Sequence, residues 1–263
     1  MRDHEDGTLV GLDYGEGWGG MKEGMSRVMT VYGIDTKRHL MGQHIGTTVP
    51  DIRADFTKGA GDLMQRTLAR AKVAQKEHPY AHFSISCTEE SINQRLEKAK
   101  GAGSGQHAGK RRSKQQTRAV REVVEGVKAH REREPRWAYA VEQPRGSAMA
   151  EMATVKKHLG QPVEVRMCCY GYKHCKPTWL WTNLYPRYWQ PRPFKKGQCT
   201  HCNACNTGTI HPERMTRRDK NDKRPPAGTS TMPGYSRDAR WNRVAPELAE
   251  ELAQAALTRW HEA

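Results

Sequence analysis

The sequence predicts an α/β fold: a mostly parallel sheet with helices on both faces. Three observations predict it. Short apolar runs alternate with segments of helical periodicity through the first two thirds of the chain. Several of those runs end in chemically capable residues, Asp13, Asp35, Cys87 and Glu142, and parallel sheets bind ligands at the carboxyl ends of their strands. A glycine cluster, Gly15, Gly17, Gly19 and Gly20, separates the first run from the helix-capable stretch after it.

The elements follow in order. Leu9–Tyr14 (LVGLDY) is the first strand, and the stretch from the glycine cluster to Met29 is helical. Thr30–Asp35 (TVYGID) is the second strand and Asp51–Phe56 a very short third. Ala60–Lys76 is a helix with Leu63, Met64, Leu68 and Ala71 on one face, and His82–Ser86 (HFSIS) is a fourth strand. Ser91–Ser113 contains GAGSGQHAGKRRS and reads as a flexible basic loop. Arg118–Arg131 is a charged helix with Val120, Val123, Val124 and Val127 turned inward. Ala138–Val141, ending at Glu142, and Val163–Cys169 are the fifth and sixth strands. Pro186–Gly234 is rich in Pro, Cys, Lys and Arg with little periodicity, and Pro246–Trp260 closes the chain as a helix with Leu248, Leu252, Ala256 and Trp260 at four-residue spacing.

The chain has 263 residues, with 44 Lys+Arg against 29 Asp+Glu, a net charge of +15. That excess calls for a polyanionic partner. Mean hydropathy is −0.90, and no run approaches the ~20 apolar residues of a membrane-spanning helix. Met1–Gly7 is polar and acidic, unlike a secretory signal. Seven cysteines, an odd number in a chain of this length, point to an intracellular, reducing compartment with thiols used for packing, metal or chemistry. The charge is localised. Ile92–Arg136 holds 13 Lys+Arg against 5 Asp+Glu, and Arg187–Arg224 holds 10 against 3, which suggests a two-sided clamp on nucleic acid.

Strand, glycine loop, helix, strand and acid, with Asp35 twenty-two residues after Asp13, suit a nucleoside cofactor: glycines let the backbone approach the ligand and the acid binds ribose hydroxyls. No Walker Lys-Ser/Thr is present, so a nucleoside triphosphate fits less well. Here the sequence resembles the cytosine-5 DNA methyltransferases, in particular their divergent, phage-type members. DYGEGWGGMKEGM (13–25) looks like the first family motif. SCTEES (86–91) resembles the Pro-Cys motif, Glu142-Gln143-Pro144 the Glu-Asn-Pro motif, CYGYKHCKPTWLWTN (169–183) the late strand motif, and NRVAPELAEELAQA (242–255) the closing helix.

The resemblance implies a class I, Rossmann-like S-adenosylmethionine-dependent methyltransferase. It implies a catalytic core over 1–185, a small recognition insert over 186–234 and a core-completing segment over 235–263. S-adenosylmethionine is expected at Asp13, Tyr14, Gly15, Gly17, Gly19 and Gly20, with Asp35 at the ribose and Asp51 at the adenine. Cys87 is expected as nucleophile, Glu142 as the acid at base N3, and Lys176 as a cation near base O2. The sequence departs from the family at Ser86 (for Pro), Gln143 (for Asn) and Thr178 (for Arg).

The chemistry asks for these residue types in its own right. C5 of cytosine becomes nucleophilic only after a thiolate adds at C6, and positive charge near Cys87 would lower the thiol pKa. A carboxyl group at N3 stabilises the adduct, and a base held in a duplex has to be flipped out to be reached. Three further readings stay open: the same chemistry on an RNA cytosine, a non-catalytic nucleic-acid-binding protein that keeps the fold, and a structural zinc-ribbon protein. Cys199, Cys202 and Cys205 form CxxCxxC with His211 six residues on, a set that suits structural zinc and that loop thiols also explain. Tyr185, Tyr188, Trp189 and Phe194 interleave with Arg187, Arg192, Lys195 and Lys196, a composition suited to stacking on bases and gripping phosphates.

Overall fold

The computed structural model describes residues 9–14, 20–35, 52–53, 59–73, 77–85, 106–171, 177–193 and 244–262. Their strands are β1 (Leu9–Tyr14), β2 (Thr30–Asp35), β3 (Ile52–Arg53), β4 (Glu77–Ser84), β5 (Ala138–Pro144), β6 (Val163–Arg166) and β7 (Pro177–Thr182). The helices are α1 (Gly20–Met25), α2 (Ala60–Val73), α3 (Gln106–Arg133), α4 (Ala153–His158) and α5 (Pro246–Glu262), with 3-10 turns at Ala148–Glu151 and Met167–Tyr170. One seven-stranded sheet runs in the order β3-β2-β1-β4-β5-β7-β6. All its pairings are parallel except those of β7, which is antiparallel to both β5 and β6. The α/β, mostly parallel expectation therefore holds.

Strand order carries the functional consequence. The chain winds outward from β1 to β2 and β3, then returns to β4 and winds the other way. At such a reversal the connections leave in opposite directions and open a crevice above the carboxyl ends of the central strands. Here that crevice lies above the ends of β1 and β4.

Alternation along the strands sorts the core into two layers. Val10, Leu12 and Tyr14 of β1, with Phe83 and Val141, pack under Leu63, Met64 and Leu68 of α2 and Ala119, Val123, Val124 and Val127 of α3. Tyr80, Ala138, Ala140 and Leu180 face Met21 and Met25 of α1 and Leu248, Leu252, Ala253 and Ala256 of α5. On that second face α1 and α5 approach very closely. A Cβ at Gly24 would overlap the Pro246 carbonyl oxygen and come within 2.6 Å of Ala249 Cβ. Glycine at position 24 thus sets the distance between a helix near the start of the chain and the helix that ends it.

The structure corrects four expectations. Strand β4 begins at Glu77, five residues before the expected start. An extra residue opposite Leu9–Gly11 forms an irregularity that takes in Pro79, which has no N–H to give to the ladder. The basic segment expected as a loop through Ser113 is helical from Gln106 onward, because α3 runs for 28 residues; its Lys, Arg, Gln and Ala residues outweigh Gly109 and Gly126. The sixth strand stops at Arg166, and Cys168 and Cys169 lie buried in a 3-10 turn closed by Gly171 at φ 81°. Strand β7, read only as part of a motif, is the antiparallel insertion between β5 and β6. Asn183 fastens it to β5, donating to the Trp137 carbonyl at 2.8 Å and accepting from Tyr139 N at 3.1 Å.

At the amino edge of the sheet, His78, His130, Glu77, Arg133, Arg136 and Trp260 border a cleft of about 540 Å³. His130 Nε2 is 3.2 Å from His78 Nε2. Burial, then the charges of His78 and Arg133, push the His130 imidazole down to about 4, so it is neutral at pH 7. Among the described residues no helix is long and apolar enough to cross a membrane.

Gly24→Ala should lower the urea midpoint by the equivalent of about 1–3 kcal/mol, the cost of overpacking a well-filled contact. An unchanged midpoint would show that α1 and α5 have slack at this crossing.

Candidate active site at the carboxyl edge of the sheet

Asp13 is the penultimate residue of β1 and is fully buried. It stands in register with Gly33 of β2 on one side and His82 of β4 on the other. His82 is also fully buried. Its Nε2 lies 3.0 Å from Ser84 Oγ and its Nδ1 3.5 Å from the Tyr80 hydroxyl, so Tyr80, His82 and Ser84 form a polar file up one face of β4. Ser84 is in turn opposite Glu142 of β5. Asp13, His82, Ser84 and Glu142 therefore share the α1/α5 face at its carboxyl end, across the strand-order reversal. Burial, then the negative charge of Asp13, hold the Tyr80 phenol well above its usual range.

Glu142 is 6% exposed. The nearby Arg145 pairs with Glu164, at 3.3 Å. Next to Glu142, the buried Gln143 makes a connection that ties β5 to the end of β4. Its amide donates to the Ile85 carbonyl at 2.5 Å, and its Oε1 accepts from Ser147 Oγ at 3.1 Å. Ser147 Oγ also accepts from Met149 N at 3.2 Å, capping the 3-10 turn after β5. Gln143 thus holds the backbone two residues before Cys87. Thr178, at the position where the family resemblance sets an Arg, is fully buried within β7, in register with Pro144 and Val165.

Tyr14 ends β1 stacked on Phe83, with ring centroids 4.8 Å apart and planes 9° from parallel. Burial raises its phenol far above the ordinary value, so it is a neutral ring in the layer under α2 and α3, on the sheet face opposite Asp13. Gly20 opens α1 and Asp35 ends β2. Strand β1, helix α1 and strand β2 follow one another in the chain, and β2 lies directly beside β1. Asp13, Tyr14, Gly20 and Asp35 all lie at the carboxyl ends of β1 and β2 or at the start of α1.

The structure brings Asp13, Tyr14, Gly20, Asp35 and Glu142 to one edge of the sheet. Gly15, Gly17, Gly19, Asp51, Cys87 and Lys176 lie outside the described residues, as do Cys199, Cys202, Cys205 and His211. Among the described residues no group of three or more His, Cys, Asp or Glu is placed to hold a metal. His82 and Ser84 were missed as site residues. The alternation of polar and apolar residues in His82-Phe83-Ser84-Ile85 carried the signal, since it puts two polar groups on one face of a central strand.

Two residues expected to stack on bases or grip phosphates do other work. Trp189 is 6% exposed in the α1/α5 layer, and its indole donates to Glu251 at 3.3 Å. Arg192 donates to Glu251 at 2.7 Å, to Glu247 at 2.9 Å and to the Cys169 carbonyl at 2.8 Å, and its guanidinium stacks 4.8 Å over the Tyr170 ring. This bidentate, partly buried cluster fastens the segment after β7 to α5. Tyr185 is the exposed large aromatic among the described residues. Phe194, Lys195 and Lys196 lie outside them.

No protein-family model matches the chain, and no curated protein sequence matches it. Among solved structures it is similar to a crystal structure of a candidate DNA modification methyltransferase encoded within an E. coli prophage. The identity is 12%, over 71% of this chain and 52% of that chain, with a TM-score of 0.41. The chain thus spans about half the length of that structure. A likeness at this level carries no argument about activity, so the site's own geometry has to bear it.

Proposed function

We propose that the chain is an S-adenosylmethionine-dependent methyltransferase acting on C5 of cytosine in DNA. The observation that carries this reading is the buried carboxylate of Glu142, opposite Ser84 at the end of β4, two strand ends from Asp13 across the reversal. The β4 end leads directly into the Cys87 segment. The chemistry named by the motifs needs a carboxyl group beside the nucleophile.

On this reading Asp13, Tyr14, Gly15, Gly17, Gly19, Gly20, Asp35 and Asp51 hold the cofactor, which supplies an electrophilic methyl group. The Cys87 thiolate adds to C6 of a flipped cytosine and makes C5 electron-rich. Glu142 holds the proton at N3 and so neutralises the charge that develops on the ring. After C5 is alkylated, loss of its proton and departure of the Cys87 thiolate restore the aromatic ring. Gln143 positions Cys87 through the Ile85 carbonyl, to which its amide donates. Lys176 contributes positive charge near O2, as a point charge rather than a fork. Residues 186–234 form the recognition insert, with Cys199, Cys202, Cys205 and His211 holding a structural zinc.

Duplex oligonucleotides carrying 5-fluorocytosine test the mechanism, since fluorine at C5 blocks the last elimination. With S-adenosylmethionine present, the protein should form an adduct stable to denaturing electrophoresis, and Cys87→Ala should form none. An adduct in Cys87→Ala, or none in the wild type on any duplex, contradicts the reading. Gln143→Leu leaves the Ile85 carbonyl without its donor. It should slow adduct formation by about 10–100-fold, the scale of an ~1 Å misplacement of a reacting group, with cofactor affinity retained. An unchanged rate would mean that Gln143 does not position Cys87.

A further inference from the structure

Turnover on cytosine ends with the loss of the hydrogen at C5. Cys87 departs as the thiolate, Glu142 holds the proton at N3 and Lys176 is a cation, so that hydrogen needs a further acceptor beside the ring. C5 is two bonds from N3. A base that meets Glu142 therefore brings C5 within reach of the side chains around Glu142.

The sheet supplies such a neighbour. Ser84 of β4 stands in register with Glu142 of β5, and adjacent strands are about 4.8 Å apart. Ser84 is half-buried, the outermost member of the polar file that His82 and Tyr80 continue along β4. Its Oγ is 3.0 Å from His82 Nε2. His82 is fully buried and stands in register with Asp13 of β1, which is buried as well. A hydroxyl both donates and accepts, and a neutral imidazole accepts at one ring nitrogen. Ser84 can thus take a proton on its exposed side while giving its own to His82.

The positive charge that results lies where it is favoured. Burial, then the negative charge of Asp13, raise the Tyr80 phenol one step along the file. The same carboxylate, beside His82, favours a protonated imidazole. His130 at the amino edge is the counter-case, since burial, then the positive charges of His78 and Arg133, oppose its protonation.

We propose that Ser84 and His82 form a relay that removes the C5 proton. Ser84 Oγ takes the proton from C5 as its own passes to His82 Nε2. The C5–H electron pair becomes the C5=C6 double bond, and the C6–S pair leaves with Cys87 as the thiolate. The proton on His82 then returns through Ser84 to solvent, which resets the relay. This rests on the cytosine-5 reading and adds the base that completes it. Ser84 meets the proton directly, and His82 acts through Ser84.

Two readouts on the full chain separate this step from those before it. Duplex DNA tritiated at cytosine C5, with no cofactor present, releases tritium when Cys87 adds at C6 and a proton is exchanged at C5. The 5-fluorocytosine trap with S-adenosylmethionine reports addition and alkylation and needs no proton removal. Ser84→Ala and His82→Gln should each cut tritium release by about 100-fold, the scale of a lost general base. The trap adduct should still form at the wild-type rate, which also shows that the variant is folded. Ser84→Thr, which keeps the hydroxyl, should retain release. If His82→Gln does not fold, Ser84→Ala decides alone. Release at the wild-type rate from Ser84→Ala, or loss of the trap adduct together with release, would overturn the relay. A wild-type protein that forms no trap adduct on any duplex removes the cytosine-5 reading and the relay with it. A normal wild-type adduct beside unchanged release in the variants removes the relay alone.

Discussion

The close crossing of α1 and α5 is the constraint on which the site depends. Helix α1 is only six residues long, too short to hold its place by local hydrogen bonding. Its position comes from packing, with Met21 and Met25 against the sheet and Gly24 against the Pro246 turn. Gly20, the first residue of that helix, ends the glycine cluster. The position of Gly20 is thus decided by a contact of its helix with α5. Arg192 strengthens the same arrangement from the other side by tying the segment after β7 to Glu247 and Glu251.

A second constraint is the polar content of the central strands. Most of the sheet interior is apolar, yet Asp13, His82 and Glu142 are buried at one end of one face. Desolvating such groups opposes folding, and their concentration at the strand-order reversal matches where a parallel sheet binds its ligand. The amino edge differs. There His130 is held neutral, and Arg136 is occupied by Glu134 at 3.0 Å and by the Trp260 ring. The two ends of the sheet have been given different chemical work.

Much of this was legible in the sequence. Strands β1 and β2 have the expected bounds because an apolar run followed by glycine or an acid leaves little choice of register. The four-residue spacing of Leu248, Leu252, Ala256 and Trp260 predicts α5, and all four are buried. What escaped has physical reasons. The glycines around 101–109 mask a helix whose remaining residues favour it. Pro79 hides the start of β4 because a bulge accommodates it. The roles of Trp189 and Arg192 turn on partners some 60 residues away in α5, which composition cannot reveal. Gln143 reads as a departure from a family motif, whereas its hydrogen bond to Ile85 gives the side chain a purpose.

The central claim is that the carboxyl ends of β1 and β4 form a site for S-adenosylmethionine. Isothermal titration calorimetry with S-adenosylhomocysteine measures this without turnover or nucleic acid. The account predicts saturable one-to-one binding that is lost in Asp35→Ala, at the acid ending β2, and retained in Cys87→Ala. No heat from the wild-type protein, or binding indifferent to Asp35, would contradict it.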